Sequence, residues 1–72
     1  MNLESQFGAR VREKRKELGL SQEVLASRAG LHRTYIGSVE RGERNISLRN
    51  IFQFARALHC KASELVDFEY TG

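Results

Sequence analysis

The chain has 72 residues, no proline, 8% aromatic residues and a formal net charge of +3. This length indicates one domain, 1–72, and no apolar stretch approaches the roughly 20 residues of a membrane span, so we expect no membrane contact. The single cysteine, Cys60, excludes an internal disulfide and the usual cysteine-rich zinc site, and it favours a reduced, intracellular setting.

The composition is rich in Leu, Ala, Arg, Glu and Ser, which favours helices, and no alternating apolar run indicates a sheet. The first predicted helix covers about residues 3–18 and ends at Gly19, a residue well suited to a C-terminal cap. Its apolar residues recur at three- and four-residue steps: Leu3, Phe7, Val11 and Leu18.

Two short helices follow. The second predicted helix begins after the N-cap residue Ser21 and stops at Gly30. With only about eight residues it would not be stable alone in water, so it must pack on its neighbours. The third runs from about His32 to Arg41 and is ended by Gly42. Its inner side is formed by three residues: Ile36, Val39 and Glu40.

After a loop at 42–45, Ser47 caps a fourth predicted helix of about residues 48–58. Its inner face is formed by Leu48, Ile51, Phe54, Ala55 and Leu58. A last short helix near 62–66 adds Leu65 to the core. Five short helices joined by tight turns predict a compact all-α five-helix bundle.

The stretch at 21–42 is the decisive one, because it places two short helices on either side of a tight turn. That is the geometry of a helix-turn-helix, whose second helix enters the major groove of DNA. We expect an outer face formed by His32, Arg33, Thr34, Gly37, Ser38 and Arg41. Arg33 can offer a bidentate fork to guanine, and Thr34 can bond a phosphate or contact a thymine methyl group.

Arg15 and Glu40 are expected to face inward. Arg15 lies four residues after Val11 and three before Leu18, and Glu40 lies four after Ile36. Because a buried charge needs a partner, we predict an ion pair that ties the first helix to the third. Loss of one partner would then cost roughly 3–5 kcal/mol.

Several apolar side chains near the C-terminus are expected to be exposed: Phe52, Val66, Phe68 and Tyr70. A monomer rarely leaves such a patch in water. We therefore predict a two-fold homodimer through the fourth and fifth helices, with an interface that includes Phe52, Leu65, Val66 and Phe68. Its two recognition helices would meet half-sites roughly 34 Å apart on one face of the duplex.

The charge is unevenly distributed along the chain. Residues 1–61 carry all 12 Lys and Arg against six acidic residues, a net +6, whereas 62–72 carry three acidic residues and no basic one, a net −3. A basic body suits a polyanionic partner, and the acidic end should face away from it.

Four runs carry a family resemblance: Gly19-Leu20-Ser21-Gln22-Glu23, Arg33-Thr34-Tyr35-Ile36, Val39-Glu40-Arg41-Gly42 and Asn45-Ile46-Ser47-Leu48. With Ala26 and Gly30, they resemble the Cro/repressor (XRE) family and its lambda-repressor-like fold over about residues 7–66. More narrowly, the chain resembles the controller proteins of restriction–modification systems. These are small dimeric regulators that bind operator DNA upstream of their own gene and the endonuclease gene.

The resemblance implies a DNA-contacting role for seven residues: Gln22, Arg33, Thr34, Tyr35, Ser38, Arg44 and Asn45. Arg33 would be the main base reader, with Thr34 and Ser38 beside it. Gln22 and Tyr35 would contact the phosphate backbone. Arg44 and Asn45 would reach phosphates or the minor groove from the loop after the recognition helix.

The chain also departs from the family pattern. His59 stands where a glycine or a small polar residue often ends the fourth helix, and Lys61 stands where a capping Ser or Thr is expected. Gly37 replaces the larger side chain of many relatives. These departures bear on how the last two helices meet and on base preference at Gly37.

The function we expect is autoregulatory transcription control in a bacterial or phage-encoded setting, in the cytoplasm on the nucleoid. A dimer would bind a pseudo-palindromic, double-stranded operator and either recruit or block RNA polymerase. A phage-type repressor, an antitoxin regulator of the same fold and a protein-interaction adaptor that does not read DNA remain alternatives. No nucleophile–base pattern predicts an enzyme, and we expect neither a cofactor nor a metal, since His32 and His59 are too separated.

Overall fold

A computed structural model describes residues 2–70, which form five α-helices and no strand. These are α1 (Leu3–Glu17), α2 (Gln22–Ala29), α3 (Arg33–Glu40), α4 (Leu48–Ala57) and α5 (Ala62–Leu65). The predicted all-α, five-helix architecture is confirmed, and each boundary falls within one residue of its predicted position.

Side-chain caps explain why the helices begin where they do. Ser21 Oγ accepts from the backbone N–H of Val24 at 3.1 Å, and Ser47 Oγ accepts from that of Asn50 at the same distance. Each serine thereby satisfies one of the donors that a helix N-terminus leaves unpaired. At α5 the Lys61 N–H donates to the Glu64 carboxylate at 2.8 Å, so the helix begins without a serine or threonine cap.

The helix ends depend on residues with a left-handed backbone. Gly42 follows α3 with φ +76, a conformation that costs glycine little because it has no Cβ. His59 takes the same role after α4 with φ 55, and the Cys60 N–H donates to the Ala55 carbonyl at 3.0 Å. A histidine at such a position costs roughly 1–2 kcal/mol relative to the favoured region.

The core is centred on Phe54 of α4, which is fully buried. The Phe7 ring meets it edge-on at 5.7 Å between ring centres, and the Tyr35 ring stacks against it at 6.4 Å. The other large, fully buried side chains come from the remaining four helices: Val11, Leu25, Ile36, Val39 and Leu65. Phe54 therefore joins α1, α3 and α4 around one apolar centre.

One predicted core residue lies on the surface. Leu48, assigned to the inner face of the fourth helix, is 73% exposed. It is the first residue of α4, and helical side chains lean toward the N-terminus. Leu48 therefore extends past the end of the helix, where only the preceding loop lies. Leu3, the first residue of α1, and Leu18, which follows its last residue, are also exposed.

Candidate nucleic-acid interface

The interface is built on α2 and α3, which are joined by the three residues 30–32. Gly30 turns the chain with φ +68, and the Leu31 N–H donates to the Ala26 carbonyl at 3.0 Å. His32 then caps α3, because its Nδ1 accepts from the Thr34 N–H at 3.3 Å. This short turn fixes the direction in which α3 leaves α2.

The inner side of α3 is held by a buried ion pair. Arg15 Nε and Nη2 donate to the two carboxylate oxygens of Glu40 at 2.7 and 3.0 Å, and the two side chains are only 11% and 4% exposed. Arg15 also donates to the Leu20 carbonyl at 2.8 Å. The hydrogen bond to Glu40 raises the pKa of Arg15, against the opposing effect of burial.

Gln22 completes this inner arrangement from the first turn of α2. Its Nε2 donates to Glu40 Oε1 at 3.1 Å, so Glu40 links α1, α2 and α3. Gly37 lies buried between the side chains of Gln22 and Arg41. A Cβ at Gly37 would stand 3.1 Å from Arg41 Nη1, so this glycine is covered and not open on the outer face as the sequence led us to expect.

The outer side of α3 carries exposed, charged side chains. Arg33 Nη1 pairs with a carboxylate oxygen of Glu23 on α2, and the two side chains are 61% and 66% exposed. Thr34 Oγ1 lies 2.8 Å from His32 Nδ1. The structure thus brings Arg33 and Thr34 together at the exposed N-terminal turn of α3, where residues of a recognition helix reach base edges.

Arg41 and Glu43 form a second exposed pair at the other end of α3. Arg41 Nε and Nη2 donate to the Glu43 carboxylate at 2.9 and 3.2 Å. This hydrogen bonding raises the pKa of Arg41 and lowers the pKa of Glu43. The sequence did not predict that Glu23 and Glu43 would pair with these arginines. Glu23 lies ten residues from Arg33, and Glu43 lies in the turn after α3, so helical periodicity indicates neither pair.

Ser38 does not lie where the sequence led us to expect. It is 6% exposed, and its hydroxyl donates to the Tyr35 carbonyl at 2.8 Å. The same oxygen accepts from Arg44 Nε at 3.1 Å. An assignment of Ser38 to the outer, base-facing side is therefore wrong, because position 38 turns toward the loop at 42–47 that packs over it.

Tyr35 and Arg44 lie together beside this serine. The Arg44 guanidinium carbon is 5.6 Å from the centre of the Tyr35 ring, and the Tyr35 hydroxyl accepts from Asn50 Nδ2 at 3.0 Å. Asn45, next in the loop, is exposed. The sequence did not predict Asn50 as part of this site, because no local pattern links it to a tyrosine fifteen residues away.

The four expected interface residues near the C-terminus divide into three groups. Phe52 and Val66 are exposed, at 58% and 42%. Phe68 is half-buried, with the Arg10 guanidinium 5.6 Å from its ring centre. Leu65 is 0% exposed, so its assignment to an outer interface is wrong: α5 is a single turn packed between α1 and α4, and Leu65 points into the core.

An apolar groove of about 280 Å³ adjoins Val66, lined by side chains that include Leu3, Ile46, Ile51, Phe68 and Tyr70. Leu48, one helical turn before Phe52, extends the exposed apolar area along α4. Within the described residues, α4 and the segment at 66–70 therefore form a broad apolar surface.

The described part of the chain offers few other kinds of site. None of its helices combines the length and the apolar character needed to cross a membrane. Across residues 2–70, no cluster of three or more His, Cys, Asp or Glu side chains could hold a metal ion.

Comparison with known proteins places this geometry in a family. The family model described as Helix-turn-helix matches residues 11–65. Control protein C.BamHI of Bacillus amyloliquefaciens is 44% identical over 99% of this chain and 89% of its own, and control protein C.SmaI of Serratia marcescens is 46% identical over 92% and 79%. The crystal structure of the restriction-modification controller protein C.AhdI from Aeromonas hydrophila superimposes with a TM-score of 0.83 at 54% identity, over 85% of this chain and 92% of that one.

Proposed function

The chain belongs to the helix-turn-helix family, and on this premise we propose that it is a dimeric, sequence-specific regulator of transcription, not an enzyme. The observation that carries the proposal is the division of α3 into two sides. Its inner side is fixed to α1 and α2 by Glu40, while Arg33 and Thr34 stand exposed at its N-terminal turn. The likeness to C.BamHI and C.AhdI supports a controller of restriction–modification genes.

DNA recognition is assigned to α3 lying in the major groove. Arg33 exchanges the Glu23 carboxylate for the O6 and N7 atoms of guanine, a bidentate contact that discriminates by roughly 1–3 kcal/mol. Thr34 contacts a phosphate or a thymine methyl group. Gln22 uses one amide hydrogen on Glu40 and retains a second for a phosphate. Tyr35, Arg44 and Asn45 meet the backbone or the minor groove from the loop side.

The functional unit is assigned as a homodimer through α4 and the adjoining apolar surface. Phe52 and Val66 remain its interface residues, with Phe68 at the edge and Leu65 supporting from the core. The two α3 helices would then bind half-sites of a pseudo-palindromic operator roughly 34 Å apart. The dimer would recruit or block RNA polymerase from the nucleoid of a bacterial cytoplasm.

Selection of bound sequences from random duplex DNA tests the reading role. We expect one preferred operator, whose affinity falls by about 10³–10⁵ between 50 and 200 mM salt if roughly 6–10 phosphates are contacted. Arg33→Ala should lose about 1–3 kcal/mol of preference at one base pair of each half-site. Arg56→Ala, the same charge loss at the far end of α4, is the control. A flat salt response, or equal effects of the two variants, would favour a protein-interaction adaptor instead.

Sedimentation at micromolar concentration tests the dimer. The wild type should sediment as a dimer, and Phe52→Asp should sediment as a folded monomer, because a charge in an apolar interface is costly. Leu18→Asp places the same charge on an exposed apolar residue outside α4 and α5, and it should leave the dimer intact. A monomeric wild type would contradict the proposed assembly.

A further inference from the structure

Four side chains from three segments converge on the side of α3 that faces the following loop. They are Tyr35 and Ser38 of α3, Arg44 of the following loop and Asn50 of α4, here called the tyrosine cluster. Two side-chain hydrogen bonds, one bond to the Tyr35 carbonyl and one cation–ring contact join all four.

Ser38 decides the direction of Arg44. A hydroxyl has one hydrogen to donate, and Ser38 gives it to the Tyr35 carbonyl at 2.8 Å. Its lone pairs then face Arg44 Nε, which donates from 3.1 Å. Because Ser38 is buried under the loop, rotation of this hydroxyl is restricted, and the acceptor for Arg44 stays in one place.

The Tyr35 ring holds the other side of the same arginine. The Arg44 guanidinium carbon lies 5.6 Å from the ring centre, within the range of a cation–ring attraction. With Nε on Ser38, Nη1 and Nη2 are the parts of the fork that the cluster does not use. These two nitrogens carry four hydrogens, enough for a bidentate contact with a phosphate or a base edge.

Asn50 fixes the ring in turn. Its backbone N–H is bound to the Ser47 cap at 3.1 Å, and its side-chain amide donates to the Tyr35 hydroxyl at 3.0 Å. The hydroxyl oxygen is then an acceptor inside the cluster, and its own hydrogen remains available for a phosphate. Asn50 thereby links Tyr35 to the first turn of α4, the helix that also bears Phe52.

We propose that Ser38 and Asn50 are positioning residues that hold Arg44 and Tyr35 in one orientation for DNA. This inference rests on the proposed function. Arginine loses much rotamer freedom when it binds, so an arginine ordered in advance binds more tightly. Without the cluster, the loop arginine would have to be ordered by DNA itself, at a loss of roughly 2- to 10-fold in affinity.

A double-mutant cycle tests the first half of the proposal. Dissociation constants for the selected operator are measured for Ser38→Ala, Arg44→Ala and the double variant, well below each melting temperature. We expect Ser38→Ala to weaken binding by roughly 2- to 10-fold and the double variant to bind no more weakly than Arg44→Ala alone. Ser38→Ala should also relax base preference at the same operator positions as Arg44→Ala.

Asn50→Asp tests the second half. This variant keeps the side-chain size and replaces the donor with an acceptor, so the Tyr35 hydroxyl hydrogen turns toward it and away from the phosphate. With Tyr35 present, Asn50→Asp should weaken DNA binding by roughly 2- to 10-fold, as expected for Ser38→Ala. In a protein that also carries Tyr35→Phe, Asn50→Asp should change binding less, because there is no hydroxyl hydrogen to redirect. Melting temperature reports folding separately and is not expected to track these binding changes.

The outcomes separate the inference from the function beneath it. A wild type that selects no DNA sequence would overturn the proposed function and this inference together. A wild type that selects an operator through Arg33, with Ser38→Ala and Arg44→Ala effects that simply multiply, would overturn the positioning role alone. If Asn50→Asp weakens DNA binding equally with and without the Tyr35 hydroxyl, the positioning role of Asn50 would be overturned.

Discussion

The two sides of α3 carry the same chemical contact in opposite settings. On the inner side Arg15 meets Glu40 with both side chains almost fully buried, and on the outer side Arg33 meets Glu23 with both largely exposed. An exposed ion pair stabilises a fold by roughly 0–1 kcal/mol, whereas removal of one member of a buried pair is strongly destabilising. Burial, not pairing chemistry, therefore decides which arginine holds the helix and which is available for DNA.

The inner side is also the place of closest backbone approach. A Cβ built on Gly8 of α1 would stand 2.2 Å from the Val39 carbonyl oxygen and 2.9 Å from that of Glu40. The last turn of α3 is thus held by a backbone contact at Gly8 and by an ion pair at Arg15, one above the other on α1. On the outer side, α3 is joined to α2 by the flexible, exposed side chains of Arg33 and Glu23.

The largest expected effect is that of Glu40→Ala. It leaves the Arg15 guanidinium buried without its carboxylate and removes the acceptor of Gln22, so we expect a loss of about 3–5 kcal/mol in the free energy of unfolding. Urea denaturation followed by circular dichroism measures it. The matched variant Glu23→Ala removes the exposed partner and should change stability by less than about 1 kcal/mol. Equal losses in the two variants would break the comparison.

Gly8→Ala is expected to have the second largest effect. The added methyl group would overlap backbone oxygens that cannot move without shifting α3, at a cost of about 1–3 kcal/mol. Gly37→Ala is the control, because its Cβ would crowd only the flexible end of the Arg41 side chain, at 3.1 Å, and would meet Gln22 at an ordinary contact distance of 3.7 Å. That variant should be neutral or more stable by up to about 1 kcal/mol, since alanine favours helix over glycine. A Gly37→Ala protein as unstable as Gly8→Ala would contradict this reading of the two glycines.

The helix boundaries and the apolar inner face of α3 could be predicted from the sequence, because the patterns that indicate them are local. Ser21 and Ser47 cap helices, Gly30 and Gly42 end them, and Ile36 with Val39 marks a face at helical spacing. Each of these signals depends on neighbours within about one or two helical turns, which a sequence displays directly.

The rest depended on which element covers a face, and periodicity does not contain that information. Leu48 continues the apolar face of α4 but lies beyond its packed part, whereas Leu65 is sealed in because α5 packs between α1 and α4. Ser38 is likewise buried where Arg44 of the following loop contacts it. Contacts between residues far apart in the chain, such as Tyr35 with Asn50, leave no local trace.

Glu23→Gln sharpens the outer half of the comparison through DNA binding. In the proposed complex Arg33 would have to leave Glu23 to reach a base, and the Glu23 carboxylate would also repel nearby phosphates. We expect operator affinity to rise by roughly 2- to 5-fold, the range of an exposed ion pair, and the free energy of unfolding to fall by less than about 1 kcal/mol. Glu69→Gln removes the same charge from the acidic C-terminal segment and should not raise the affinity. An equal rise in operator affinity in both variants would mean that affinity depends on net charge and not on the Arg33–Glu23 pair.

The smallest effect concerns the exposed Arg41–Glu43 pair and its dependence on pH. Hydrogen bonding to Arg41 lowers the pKa of Glu43 below its ordinary value of 4.5, so the folded state favours the ionised carboxylate. The resulting stabilisation is present above pH 4.5 and is lost as the pH falls through the lowered pKa. Glu43→Gln should therefore be slightly less stable than wild type at neutral pH and equal to it at a pH below the lowered pKa of Glu43, where both side chains are neutral. Urea titrations of the two proteins at both pH values measure this difference. A Glu43→Gln protein as unstable at neutral pH as Glu40→Ala would mean that exposure does not separate the two sides of α3.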